Sequence, residues 1–593
     1  RGHPSWKQRK TRFCRHRTHA FSSPARAQSI DSMRCALFLL VHAQALRCRT
    51  HAARGMARRA ASVDIDAANN KAAAVDLDAA NAKAKRVWAE VAVAAPELAP
   101  DTRPFGDGAA PAGLKGTWYV NGLASCRVGD RLVHPFEAHG FVKAFTFDGK
   151  GGATLTTRFV ETPCQQLESR LRRPLVRGAM SNVADFDKFP DHLLNAASPS
   201  TRSVAQLAVR SWAGRLFAGT DNAPWYGLDA TTLETLGVET MGGALAGANP
   251  LAHTRRDARR NRLIAAAAAF DAFGDTTTTT FWEFDEHGNE VKKVEDIDRS
   301  FVVHDYAITD EHYVLPISPI AFDLDNIPDF AVRVRRPMRP SICVAATRHS
   351  PPDPAQLGRA PATDLFAFDA TQHGALKLVS RTGGATIKVD LGAFACVFHM
   401  GPCWLEDGKL IAHVLLFERY GSLGNAMGFD VRSQAFDPIP WSRSNGGPTL
   451  RRIVADAATG ELLEMTRLSD LKLDMPTFHP LRDGLPNRAV FGTAGVRPDG
   501  WFPFNALAKY DLIANKEEVW QTNDDSVVSE PYYVPRSDAD DGEGWVLSLV
   551  TDTARDATEL LVFDAARFCD GPVWTATVGG LWPWNVHTTF VPE

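Results

Sequence analysis

Thr276-Thr277-Thr278-Thr279-Thr280-Phe281-Trp282-Glu283-Phe284 runs straight into Asp285-Glu286-His287-Gly288-Asn289. The first stretch is made of β-branched and aromatic residues, which suit a pleated, half-buried surface; the second is a cluster of turn formers. Together they read as a strand and its hairpin turn. The pattern recurs along the chain. Residues 141–147 give way to Asp148-Gly149-Lys150-Gly151-Gly152 and resume over 154–160, and residues 410–417 form another short β run. Residues 263–270 are rich in alanine, yet they follow His253 by one turn and are expected to be a strand. Short strands at even spacing over about 480 residues point to a propeller or a similar all-β closure rather than a sandwich.

Four histidines sit in β-like contexts across the C-terminal two-thirds of the chain: Ala252-His253-Thr254, Val303-His304-Asp305, Phe398-His399-Met400 and Val586-His587-Thr588. Neutral imidazole is the commonest protein ligand for iron, copper and zinc. Any single one of the four reads more readily as a hydrogen-bonded core residue. Four held on strands, without a cysteine or carboxylate at ligand spacing, suggest an all-nitrogen metal site. Asp305 adjoins His304, but consecutive strand residues point to opposite faces, so Asp305 is expected to face away from the metal.

In order, these contexts resemble the carotenoid cleavage oxygenase family, which includes the retinal-pigment isomerase. The matching segments are Ala252-His253 with Asp257, His304-Asp305-Tyr306-Ala307-Ile308-Thr309, Phe398-His399 followed by Glu406-Asp407-Gly408, and Pro583-Trp584-Asn585-Val586-His587. Supporting matches are Gly116-Thr117-Trp118-Tyr119-Val120-Asn121-Gly122, His134-Pro135-Phe136-Glu137-Ala138-His139-Gly140, Thr232-Leu233-Glu234-Thr235-Leu236-Gly237, and Ser529-Glu530-Pro531-Tyr532-Tyr533-Val534-Pro535 followed by Asp540-Asp541-Gly542. The resemblance covers about residues 113–593. It departs from the family in lacking an arginine before Asn121. It departs again where the family places glutamates on the outer nitrogens of three ligand rings. Glu530 keeps that identity; the other two positions fall on Asp221 and Asp474. Aspartate is one methylene shorter, so these two are expected to hold their rings less firmly, directly or through a water.

The resemblance implies a seven-bladed β-propeller over residues 113–593, with Fe(II) held by His253, His304, His399 and His587. The implied reaction puts both atoms of O₂ across a C=C bond of a carotenoid or apocarotenoid, giving two carbonyl products. A hydrophobic tunnel would present the polyene, with Tyr306, Phe398, Trp404, Trp582 and Trp584 as candidate wall residues. An apolar mouth at residues 317–322 would make peripheral contact with a membrane. Three alternatives stay open: cleavage of a stilbene-type olefin, isomerohydrolase chemistry on the same site, and a propeller that binds carotenoid without catalysis.

Composition narrows the classes further. The chain is 45% hydrophobic and 23% charged, an ordinary globular balance. Residues 1–60 carry 14 Lys and Arg against the single acid Asp31, leaving 52 basic and 68 acidic residues in the remainder. An acidic body argues against nucleic acid as a partner. Nine cysteines without a CxxC pair argue against a disulfide framework and favour a reducing compartment. Cys396 and Cys403 flank His399 but are too far apart to read as a zinc pair.

Residues 1–62 read as a targeting leader. Met33-Arg34-Cys35-Ala36-Leu37-Phe38-Leu39-Leu40 opens like a secretory signal, and an Arg- and Ala-rich, acid-free stretch follows like a transit peptide. That combination suggests a plastid, with the cytoplasm as the alternative. Residues 63–112 read as an extension. The repeat Val63-Asp64-Ile65-Asp66-Ala67-Ala68-Asn69 and Val75-Asp76-Leu77-Asp78-Ala79-Ala80-Asn81 suits one surface helix running on through Val87-Trp88, and residues 99–113 suit a linker.

Overall fold

In the computed structural model, which describes residues 76–94, 101–106, 108–181, 202–271, 276–299, 302–322, 363, 366–431, 433–539 and 542–593, Thr276–Phe284 is a strand and Glu290–Arg299 returns antiparallel beside it. Asp285 closes the turn: its Oδ1 accepts the N–H groups of His287 at 3.0 Å and Asn289 at 2.8 Å, while Gly288 takes φ +81°. A side-chain oxygen that stands in for a main-chain acceptor fixes the reversal locally. Asp229, Asp456, Asp511 and Asp552 close other hairpins in the same way.

Among the described residues, seven antiparallel sheets of four or five strands follow one another along the chain. Blades two to six begin with Ala208–Trp212, Pro250–Asp257, Ala307–Ile308, Cys396–Glu406 and Lys472–Thr477. Blade seven begins with Ser526–Val528 and Tyr532–Pro535, both paired to Gly544–Asp552. Blade one is closed by the far end of the chain, where Asn585–Pro592 pairs with Lys115–Ala124. The leading strands of neighbouring blades touch one another around a common axis. This is a seven-bladed β-propeller.

Each pair of neighbouring blades is joined by its own apolar seam. Leu216, Ala218 and Tyr226 of blade two meet Tyr119 and Val142 of blade one, and the remaining six contacts around the ring are built alike. The alanine run shows why composition misleads here. It is the strand Arg262–Asp271. Leu263 and Ala265 join the seam with Trp225 and Trp282, whereas Ile264 and Ala266 join that with Phe281 and Tyr313. Over Leu263 to Ala266 both faces are buried, so small apolar residues fit, and packing overrides alanine's poor strand propensity there.

The extension differs from its sequence reading. A helix, α1, spans Leu77–Val93 and is capped by Asp76, whose Oδ1 accepts the Ala79 N–H at 3.1 Å. It is no plain surface helix. Val87, Trp88, Val91 and Ala92 are buried in the largest apolar cluster, with Trp88 edge-on to Phe436, Phe502 and Trp584. The expected linker contains the strand Asp101–Pro104, which pairs with Ala153–Phe159 at the outer edge of blade one. The leader at 1–62, the first repeat copy and Asp540-Asp541 lie outside the described residues. No helix among the described residues is long and apolar enough to cross a membrane.

Candidate metal centre

His253 lies on the leading strand of blade three, His399 on that of blade five, and His587 on the closing strand of blade one. His304 is not on a strand, contrary to the sequence reading. It sits in a bend just ahead of Ala307–Ile308. There Asp305 takes the place of a sheet partner, accepting the N–H of Tyr306 at 2.7 Å and of Met400 at 2.8 Å.

The register breaks on all three histidine-bearing strands. Pro250 and Thr254 pair with Ala267 and Ala265, Val397 and His399 with Leu416 and Leu415, and Val586 and Thr589 with Asn121 and Tyr119. In each case the extra residues are on the histidine strand. A bulge bends a strand and re-aims a side chain. His587 itself takes φ +23°.

The four rings converge so that one nitrogen from each lies within 4.8 Å of the others. The Nε2 atom of His304 is 3.2 Å from that of His253 and 3.3 Å from that of His399. The outer nitrogens face carboxylates. His304 Nδ1 lies 2.5 Å from Asp221 Oδ2, His399 Nδ1 2.6 Å from Asp474 Oδ1, and His587 Nδ1 3.1 Å from Glu530 Oε1. Each Nδ1–H donates outward, which leaves the Nε2 lone pair aimed at the centre. Two of these carboxylates also tie down ligand strands. Asp221 accepts the Ala252 N–H at 2.8 Å and Glu530 the Thr588 N–H at 3.0 Å. Both aspartates reach their rings directly and lie closer to them than the glutamate does.

Electrostatics agree with a cation site. Burial, and then the neighbouring imidazoles, push His253 and His587 well below the ordinary histidine range. Burial opposes charge on His304 too, but Asp221 outweighs it and raises that pKa. Burial pushes the Glu530 carboxyl up to about 7, against the pull of Arg210. Lone pairs a little over 3 Å apart repel one another unless a cation lies between them. A metal–nitrogen distance of about 2.1 Å puts adjacent ligands roughly 3 Å apart, so the nitrogen set fits one ion. Cys396 and Cys403 are free, buried and pushed far toward the thiol by burial, so neither adds a thiolate. A pure imidazole set suits iron better than it suits a structural zinc.

The candidate wall residues divide. Tyr306 belongs to the seam between blades three and four and donates its hydroxyl to the Ile264 carbonyl at 2.8 Å. Trp404 stacks on His413, and Trp582 packs between blades seven and one. These three rings are engaged in packing. Trp584 is packed as well, edge-on to Trp88 and Phe502 with its Nε1 donating to the Val528 carbonyl at 2.9 Å. Half-buried Phe398 lies against the same large apolar cluster, which also holds Ala252, Met475 and Val586, neighbours of the site residues. The stretch expected to be an apolar mouth spans the end of the strand His312–Ile317 and the short strand Ile320–Phe322; Ser318 and Pro319 are buried, and Ile317 and Ile320 are half-buried. Sequence reasoning missed Asp305 and Arg255 as partners of the site. The signal was Asp305's place beside His304, set aside on strand alternation.

Fold and site thus define a propeller metalloprotein with a four-histidine, non-haem iron-type centre. Residues 94–592 match the family described as retinal pigment epithelial membrane protein. The chain belongs to this family, the carotenoid cleavage oxygenases. It is similar to apocarotenoid-15,15'-oxygenase of Synechocystis, 25% identical over 496 residues that cover 81% of this chain and 91% of the relative. It is 26% identical over 528 residues to the chloroplastic carotenoid cleavage dioxygenase 7 of Oryza sativa subsp. japonica, covering 76% of this chain and 81% of that one. Its fold matches the crystal structure of cobalt-substituted Synechocystis ACO with a TM-score of 0.74 at 22% identity, covering 86% of this chain and 99% of that one.

Proposed function

We propose that this protein is a non-haem Fe(II) oxygenase that cleaves a C=C bond of a carotenoid or apocarotenoid with O₂ to give two carbonyl compounds. The observation that carries this is the convergence of four imidazole nitrogens within 4.8 Å, backed by carboxylates on their outer nitrogens. His253, His304, His399 and His587 would hold the iron, which supplies the redox chemistry with O₂. The chain's own contribution is positioning. Asp221, Asp474 and Glu530 fix tautomer and ring orientation. Half-buried Phe398, set against the apolar cluster that holds Ala252, Met475 and Val586, would offer the olefin an apolar surface near the centre. Orientation of that kind, rather than proton transfer, is what an O₂ reaction on a hydrocarbon asks of its protein.

The test is metal analysis of protein purified anaerobically, followed by incubation with β-carotene, an apocarotenal and a hydroxystilbene under O₂. Near one iron per chain, with bleaching of a polyene and release of aldehydes, is the expected result. Cleavage confined to the stilbene would replace the substrate class. Iron with isomerised but uncleaved polyene would move the reading to isomerohydrolase chemistry. A chain that takes up no iron would sink the oxygenase reading altogether. The proposal extends to a plastid location, motivated by the composition of residues 1–62. A fluorescent protein carrying residues 33–62 that stayed in the cytosol of an alga with complex plastids would refute it.

A further inference from the structure

His253 is the one ring of the four without a close carboxylate on its outer nitrogen. Its Nδ1 lies 3.4 Å from Asp305 Oδ1, beyond ordinary hydrogen-bond length. The reason is visible in what else holds Asp305. Both its oxygens accept from Arg255 Nη2, at 2.6 and 2.7 Å. Arg255 in turn donates to the carbonyls of Tyr306 and Met400 and lies 3.6 Å from Asp483. Asp305 and Arg255 are both buried. The unit they form touches three ligand-bearing segments at once. Arg255 is two residues past His253, Asp305 directly follows His304, and Met400 directly follows His399 and contributes both its N–H and its carbonyl.

Resting on the four-histidine iron reading, we propose that Asp305, held by Arg255, is a fourth outer carboxylate of the site. It acts as a positioning residue that keeps the proton of His253 on Nδ1 and ties together the strands of His253 and His399 and the bend that carries His304. The neighbouring groups leave it little competition. The charged and titratable groups bearing on His253 besides Asp305 are the other three imidazoles and Arg210; the His304 ring meets His253 at Nε2, on the inner side, which leaves Asp305 as the carboxylate facing Nδ1. Asp305 is not itself a ligand, because its oxygens are committed to Arg255 and two main-chain N–H groups. The site is therefore graded. Three rings are held tightly and one loosely, by a carboxylate shared with an arginine.

The experiment uses the whole protein loaded with cobalt(II), whose paramagnetism shifts the outer N–H proton of each bound imidazole far from the rest of the NMR spectrum. Four shifted, slowly exchanging N–H signals are expected for the wild type. In Asp305→Asn one signal should be lost to exchange, and metal retention against a chelator should fall about 10–100-fold, the usual cost of losing an outer partner. A folded Asp305→Asn with four unchanged signals and unchanged retention overturns the proposal. If that variant does not fold, the wild type decides alone: three protected signals with the fourth exchanging freely overturn the proposal, and four support it. A purely packing role would lower stability and leave the signals of the folded protein in place. Failure of the wild type to take up metal would instead strike the oxygenase reading, so the two failures are distinguishable.

Discussion

Asp221 and Asp474 stand 2.5 and 2.6 Å from the histidines they serve, nearer than Glu530 at 3.1 Å. The shorter side chain is matched by a closer backbone. Asp474 lies where its strand is bulged, since Asp474 and Thr477 pair with Thr493 and Phe491. With the backbone held where it is, an added methylene would drive the carboxylate about 1.5 Å further toward a ring already in contact. Asp221→Glu and Asp474→Glu are therefore expected to weaken iron retention rather than strengthen it. Asp474→Ala should cost about 10–100-fold in iron affinity, read by competition with a chelator. Tighter binding in either glutamate variant would mean that the strands move to accommodate the longer arm. The identity of these residues was legible in the sequence because they fall in place relative to four recognisable histidine contexts. Their distances were not, because reach depends on where a bulge sets the Cα atom. Asp305 was hidden for the same reason: strand alternation does not govern a residue in a bend.

The elements divide along a similar line. Hairpins could be read wherever an aspartate or glycine closes a turn, since that information lies within five residues, as at Asp285 to Asn289. The strand Asp101–Pro104 and the role of α1 could not, because both depend on partners far along the chain: Thr154 to Thr157 for the strand, Phe436, Phe502 and Trp584 for the helix. Helix α1 is held at its rim by Lys83 and Arg86 on Asp525 and by Asn81 on Asp499, all partly exposed and individually weak. Its docking rests on Trp88, which is fully buried. Trp88→Ala should cost about 3–5 kcal/mol in urea denaturation, as for other large-to-small core changes. Trp88→Phe should cost far less, because the indole Nε1 has no hydrogen-bond partner to lose. Equal losses in the two variants would contradict that account.

Across the whole molecule, closure of the ring buries histidines that have nothing to do with metal. His134 accepts the Phe136 N–H on Nδ1 and faces the Ala426 carbonyl with Nε2, an arrangement open only to the neutral ring. His413 faces the Pro402 carbonyl through Nδ1 and stacks on Trp404. Burial pushes His134 down to about 3 and His413 down to about 4. In the unfolded chain both titrate near 6.5. Below that pH the unfolded state takes up protons that the fold refuses, so stability falls as pH drops, by about 1.4 kcal/mol per pH unit for each ring. The fall begins near pH 6.5 and, for His413, ends near its folded value of about 4. Glu168 belongs to a lower window. Burial would raise it, but His139 and Arg202 hold it at about 2, so its contribution is intact above roughly 4.5 and is lost only below that. Other groups, Glu530 among them, also titrate between pH 7 and 4, and comparing parent with variant cancels them. His413→Leu should lose stability at pH 7.5 with its hydrogen bond. Its stability should then decline less steeply than the parent's between pH 6 and 4.5, by about 1.4 kcal/mol per pH unit, in urea titrations at fixed metal content. Parallel slopes for parent and variant would mean that His413 takes up its proton within the fold, and that the ring of blades is not as dry there as its packing implies.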